Sequence, residues 1–286
     1  MHPDEQMAVA AKFILQSPPG EINDVLNDVR NIISDDELLQ EGVQPALRQY
    51  NLEQFVVVDI PEHDHQVIIS DVGRVEGEQD RFRDPQAKLT FHFDHLRLEA
   101  SDVQAYEPDE DTEPFRSALE KATLAYIGDH FPGGVSTVHT ITASKYAIQI
   151  VANKYNPSNF WSGRWRSEYI VDISEGKVQS KILINVHYFE QGNVQLSTTF
   201  TPVFDLPPAA VSSQNASSAS KIIALIEARE SEHQEAMIQT YFDMSEKTFK
   251  GLRRALPIMR QKLDWDKVTG YKLGAELAGT RGAFGN

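Results

Sequence analysis

Apolar residues in the first fifty positions recur every three or four residues, the spacing of one face of an α-helix. In "EINDVLNDVRNIIS" that face is Ile22, Val25, Leu26, Val29, Ile32 and Ile33. Pro18, Pro19 and Gly20 separate it from an earlier short helix around Met7 to Leu15. A third helix is predicted from Asp36 to Gln49, and three short amphipathic helices in a row pack as an antiparallel cluster. After Asn51 the period changes to two. "FVVVDI" (55–60), "HQVIIS" (65–70) and "KLTFHF" (88–93) read as strands, the last with Leu89, Phe91 and Phe93 on one face. "YEPDEDTEP" (106–114) is an acidic loop. A helix follows from about Phe115 to His130, with Phe115, Leu119, Ala122 and Tyr126 on one side.

Residues 135–200 alternate as a strand meander: "VSTVHTIT", "KYAIQIV", "WRSEYIVDI", "KILINVHYF" and "NVQLSTTF". The separators are short and carry Gly, Asn, Pro or Ser. Connections of that length join antiparallel neighbours, because parallel strands need a long crossover. "LPPAAVSSQNASSAS" (206–220) is a connector. Lys221 to Met244 contains neither Gly nor Pro, and Ile222, Ile226, His233, Met237, Tyr241 and Met244 share one face. This predicts a single helix roughly 37 Å long, enough to cross the sheet. Ser245 is placed to cap a second short helix ending near Pro257. The last stretch has Trp265, Val268, Tyr271 and Ala275 on one arc. Gly270 and Gly274 disfavour an independent helix there. The resulting class is α+β. Its divisions are an N-terminal helical cluster (1–50), a middle region with an antiparallel sheet (51–205), a connector with a long helix packed across the sheet and a short basic helix (206–258), and a C-terminal tail (259–286).

Charge adds a polarity that the pattern lacks. The chain has 286 residues and a net charge of −15. From Ser245 to Asn286 there are nine Lys/Arg against four Asp/Glu, a local +5. The remaining 18 against 38 give −20. The run "KTFKGLRRALPIMRQK" (247–262) gathers Lys247, Lys250, Arg253, Arg254, Arg260 and Lys262 with no acid between them. An acidic body repels nucleic acid and anionic membranes, and the basic end does the opposite. A cationic surface beside an aromatic hook suits docking on an acidic partner: charge steers and the apolar anchor holds. The sequence has no cysteine, so no disulfide or thiolate site exists. There is no run of 18 apolar residues to span a membrane and no signal-peptide pattern at the start, so the expected location is the cytoplasm.

Catalytic and metal signals are weak. His92 and Asp94 share a strand face while His95 points away, which leaves two candidate ligands and no third. "HDH" (63–65) reads as a solvated turn and His187 as a core histidine. "NFWSGRWRSEYIV" (159–171), with two Trp and two Arg, reads as a turn entering a core strand; a stacking platform for bases is disfavoured by the acidic body. No phosphate loop, dinucleotide fingerprint or nucleophile elbow is present. No catalytic residue, metal site or cofactor is expected.

"FKGLRRALP" (249–257), "NFWSGRWRSEY" (159–169), "VHYFEQGNVQL" (186–196) and "FDHLRLEASD" (93–102), with "AAKFI" and "PPGEINDV" near the start, resemble the alpha subunits of F-actin-capping protein, in the same order and over almost the whole chain. The resemblance implies a heterodimer with a similarly folded beta subunit, the two sheets joining under long antiparallel helices. It implies binding to the barbed end of actin filaments, blocking subunit addition and loss without calcium, metal or nucleotide, at the cytoskeleton. The C-terminal segment becomes a mobile amphipathic helix. By matched position, Lys250, Arg254 and Arg260 are expected to meet actin. Arg253 and Lys262 of the same run and the Trp265, Val268 and Tyr271 arc complete the expected surface. Phosphoinositides, at Lys250 and Arg254, and inhibitory proteins are expected to compete there. The rival reading of the same basic segment is an RNA- or phosphoinositide-binding module, marked by steeply salt-dependent binding.

Overall fold

The structure, a computed structural model, describes residues 3–33, 36–190 and 192–249. Three helices open the chain: α1 (Pro3–Leu15), α2 (Ile22–Ile33) and α3 (Asp36–Glu53). Their apolar faces meet in one core of Met7, Ala10, Ile14, Val29, Val43, Ala46 and Leu47. Gly42 permits the close crossing of α1 and α3, since a Cβ there would lie 2.6 Å from Met7 Sδ. The third helix runs four residues past the predicted Gln49. Tyr50 and Asn51 extend its buried face, and Asn51 Nδ2 donates to the His95 carbonyl at 2.9 Å.

Two small antiparallel sheets follow. β1 (Val57–Asp59) pairs with β2 (Gln66–Ile68), and β4 (Leu89–Asp94) lies between β3 (Arg81–Asp84) and β5 (Glu99–Ala105). Phe82, Phe91 and Phe93 form their shared core with Val58, Ile60, Val67 and Ile69. β3 and β5 were not predicted. "RFRD" buries Arg81 and Asp84 through side-chain hydrogen bonds, and β5 is almost wholly exposed, so neither shows an apolar alternation. Both are strands because they pair with β4.

The main sheet is the predicted meander. β6 (Val135–Thr142), β7 (Lys145–Asn156), β8 (Trp161–Asp172), β9 (Lys177–Tyr188) and β10 (Val194–Phe200) lie side by side in chain order, all antiparallel. β11 (Val203–Asp205), not among the predicted strands, pairs with the start of β9 in line with β10. The side-chain period of two divides this sheet into unlike faces. Tyr146, Ile148 and Ile150 of β7, Tyr169 and Val171 of β8, and Val178 and Ile182 of β9 make an apolar face. α4 (Glu113–His130) covers part of it, with Phe115 edge-on to Tyr146 and Phe131 against Trp165.

After the short α5 (Pro208–Val211), the long α6 spans Ala216–Asp243. It starts five residues before the predicted Lys221 because Asn215 caps it, its Oδ1 accepting the Ser218 amide at 3.0 Å. Ala219, Ile222, Ile223 and Ile226 are buried. Glu227 reaches His130 at the end of α4, and the Arg229 guanidinium lies over Phe204 of β11. The chain forms two compact units, residues 1–229 and 230–286. In the second, Ile238, Tyr241, Phe242 and Met244 are exposed, and Met244–Phe249 forms one π-helical stretch that takes in the predicted cap Ser245. No helix among the described residues is long and apolar enough to cross a membrane.

Candidate functional site

The expected contact residues Lys250, Arg253, Arg254, Arg260, Lys262, Trp265, Val268 and Tyr271 lie outside the described residues. What the described part offers is an open sheet edge. No strand among the described residues pairs with the outer side of β10, and five of its seven residues are exposed. Val194 is 61% exposed, and Val203 of β11, next along the same edge, 63%. The segment "VQLSTTF" contains no charge and no proline, the devices that keep an edge from pairing. On the apolar face the uncovered surface continues inward as a groove of about 480 Å³ between Phe131, Pro132, Trp161, Trp165, Ile184 and Val186.

"NFWSGRWRSEYIV" contributes to both faces. Alternation along β8 sends Trp161, Trp165 and Tyr169 to the apolar side, and Arg164 and Arg166 to the other. Both arginines are buried. Arg164 donates to the Gln54 carbonyl at 3.3 Å, to Asn153 Oδ1 at 2.6 Å and to the Tyr155 hydroxyl at 2.6 Å. Arg166 donates to the Glu53 carbonyl and to Asn185 Oδ1. The two cations therefore close the C-terminal end of α3, where carbonyls lack helical partners and the helix dipole is negative. Burial, with Arg164 beside it, pushes the Arg166 guanidinium down to about 10. Committed to α3 in this way, neither arginine is free to stack on a base.

A second tie anchors the helical cluster to the same polar face. Gly20 has φ +82, and a Cβ there would meet the Tyr155 ring at 3.0 Å, so the "PPGE" turn needs its glycine. The turn presents Glu21 to the sheet, where Oε1 accepts from Ser162 Oγ at 3.2 Å and lies 2.7 Å from His187 Nδ1. His187 is buried, as expected of a core histidine, but its partner stands 166 residues away, beyond the reach of any local motif.

His65, His95 and His139 are tied into the fold. His92 is exposed, while His95 is buried against Asn51 and Asp80, and burial lowers its pKa to about 4. The solvated-turn reading of "HDH" is corrected at His65, whose Nε2 lies 2.7 Å from the buried Asp84 carboxylate. His139 is wholly enclosed and pushed down to about 3 by burial and by Arg116 and Arg83. Among the described residues no three His, Cys, Asp or Glu side chains are grouped to hold a metal ion.

The family model for the F-actin capping protein alpha subunit matches residues 10–276. The F-actin-capping protein subunit alpha of Neurospora crassa is 38% identical over 272 residues, covering 95% of this chain and 96% of that protein. The subunit of the same name from Caenorhabditis elegans is 38% identical over 282 residues, covering 96% and 97%. In three dimensions the chain is similar to a homodimeric actin capping protein alpha subunit from Plasmodium berghei, with a TM-score of 0.69 over 90% of this chain and 99% of that one. At 18% identity that likeness speaks for the fold.

Proposed function

The chain belongs to the family of F-actin capping protein alpha subunits, and from that premise we propose that it is the alpha half of a heterodimer that binds the barbed end of actin filaments. Bound there, the heterodimer blocks subunit addition and loss, without calcium and without catalysis. A capping protein beta subunit is the partner proposed for the open edge of β10. The observation that carries this reading is the family match over residues 10–276, which takes in both that edge and the basic segment.

Lys250, Arg253, Arg254, Arg260 and Lys262 supply the charges that speed encounter with an acidic filament end, and Trp265, Val268 and Tyr271 the apolar anchor. Phosphoinositides at Lys250 and Arg254, and inhibitory proteins, compete for that surface. The division of labour follows the four segments 1–50, 51–205, 206–258 and 259–286, with contact to actin in the last two. The protein acts in the cytoplasm, at the cytoskeleton.

Elongation of pyrene-labelled actin from barbed-end seeds tests the proposal with the purified heterodimer. Barbed-end growth should stop, with or without a calcium chelator, while pointed-end growth continues. Reversing Lys250, Arg254 and Arg260 to Glu should slow association roughly tenfold or more and change dissociation far less. Unimpeded barbed-end growth overturns the function. An association rate indifferent to the triple reversal removes the basic segment from the mechanism.

A further inference from the structure

On the polar face of the main sheet, a cavity of about 360 Å³ opens beside the unpaired edge. Its walls are the Ser17–Pro19 turn, Gln54 at the end of α3, Asn185 and His187 of β9, and Gln195 and Ser197 of β10. Most of these polar groups are committed. Ser17 Oγ donates to the Phe13 carbonyl, Asn185 links Arg166 to Ser197, and Gln195 donates to Asn193. Two are not. Gln54 Oε1 and His187 Nε2 are buried and have no hydrogen-bond partner among the described residues.

Both orphan atoms are acceptors. Glu21 Oε1 faces His187 Nδ1, and a carboxylate only accepts, so Nδ1 carries a proton, and in the neutral ring Nε2 keeps a lone pair. The two prolines of the turn add carbonyls and no N–H. The cavity therefore asks for a donor. A cation is disfavoured, because Arg164 and Arg166 already place two buried positive charges behind this wall. The donor must also be long. A strand added to β10 would stand two strand spacings from β9, about 9–10 Å, with Gln195 opposite His187 and the small Ser197 opposite Asn185 in between on this face.

We propose that this cavity receives a long uncharged donor side chain, glutamine or tyrosine, from a second chain paired along β10, hydrogen-bonded to Gln54 Oε1 and His187 Nε2. This rests on the partner reading above and adds to it a pocket that fixes the register of the added strand.

The test compares pairing of the full chain and its partner, by subunit exchange, for wild type, Gln54→Met, His187→Phe and the double variant. Each single change should weaken pairing about tenfold, the effect of one buried hydrogen bond. The losses should be equal at low and high salt, and the double variant should lose less than the product of the two, since one donor serves both acceptors. Unchanged pairing, or a loss that shrinks steeply with added salt, overturns the proposal; the latter outcome would mean a charged occupant. A wild-type chain that pairs with nothing overturns the partner reading instead. Should His187→Phe fail to fold, nitrogen-15 spectra of histidine in the unaltered complex decide the matter. An Nε2 that accepts a hydrogen bond supports the inserted donor, and a free Nε2 refutes it.

Discussion

The two edges of the main sheet are built from the same meander and end up in opposite conditions. At one side β2 and α4 pack on β6, and Ser136 to His139 are buried. Gln149, one strand in, receives a hydrogen bond from Ser70 at 2.6 Å, so the small sheets are tied down on that side. At the other side β10 carries no neighbour among the described residues and exposes valine, phenylalanine and threonine without a protecting charge. An edge closed by the chain's own middle region contributes to the stability of the chain. An edge left apolar and uncharged is where the partner proposed above would pair. The same kind of substitution should therefore act on stability at one edge and on assembly at the other.

The largest effect is expected at β6. Val138 is 0% exposed, and Val138→Asp buries a carboxylate with no partner designed for it. The cost is several kcal/mol. A urea titration should find the chain largely unfolded or its midpoint sharply lowered, with assembly lost only because the fold is lost. A variant that keeps the parental midpoint would mean that β6 is not the closed edge.

At β10 the outcome should invert. Val194→Lys with Phe200→Lys places charges on an exposed edge. Stability should stay within about 0.5 kcal/mol, as for surface changes in general. Pairing should fall roughly a hundredfold, since two apolar side chains of about 1–1.5 kcal/mol each are lost from the contact. Sedimentation of the pair and melting of the same preparations separate the two quantities. Loss of stability without loss of pairing would reverse the roles assigned to the edges.

The difference between the edges was only half legible in the sequence. The five strands of the meander and their antiparallel order follow from alternation and short turns, and the structure keeps all five. β7 and β8 are longer than predicted because they pair in register over twelve residues, Lys145–Asn156 against Trp161–Asp172, across segments whose own pattern is polar. What alternation does not carry is which edge is covered. Glu21 with His187, Arg164 with Gln54 and Ser70 with Gln149 join residues 79 to 166 positions apart. The aromatic and basic motif on β8 was visible, but its arginines serve α3, a helix more than a hundred residues earlier. β5 shows the opposite limit, a strand imposed by its neighbour on a sequence with no apolar face.

A third effect, on pH dependence, should mark one edge and spare the other. His139 on β6 is held to about 3 and His95, beneath α3, to about 4, in both cases chiefly by burial. Each is neutral when folded and takes up a proton near pH 6.5 when unfolded. Below that pH the unfolded chain binds more protons, so stability is fully present above about pH 6.5 and declines as pH falls toward these lowered values. Each histidine contributes a slope of about 1.4 kcal/mol per pH unit inside its window. Urea midpoints between about pH 7 and pH 5 should show the fall, and His139→Gln should flatten it by roughly half. His139 lies on β6, at the opposite end of the sheet from β10, so His139→Gln should leave pairing of the folded chain unchanged. A stability that is level down to pH 5 would show that neither histidine is buried neutral.

The smallest effect tests whether the open edge is independent of the helices above the sheet. Asn215 caps α6 through its side chain to the Ser218 amide, and the turn it starts buries Ala219 and Ile222. Asn215→Ala leaves that amide without its acceptor and costs about 1 kcal/mol. In a unit of 229 residues this lowers the melting temperature by roughly 2–4 °C. The edge is held to the sheet from the other direction, by the ladder that joins Val194–Phe200 to Ile182–Tyr188. A frayed first turn of α6 should leave those seven residues in register, and pairing should match the parent. Melting temperature and pairing strength measured on one preparation decide between two views. A small thermal loss with unchanged pairing supports an edge preset by its own ladder. A tenfold loss of pairing would mean that α6 positions the edge, and that the apolar face and the open strand act as one surface.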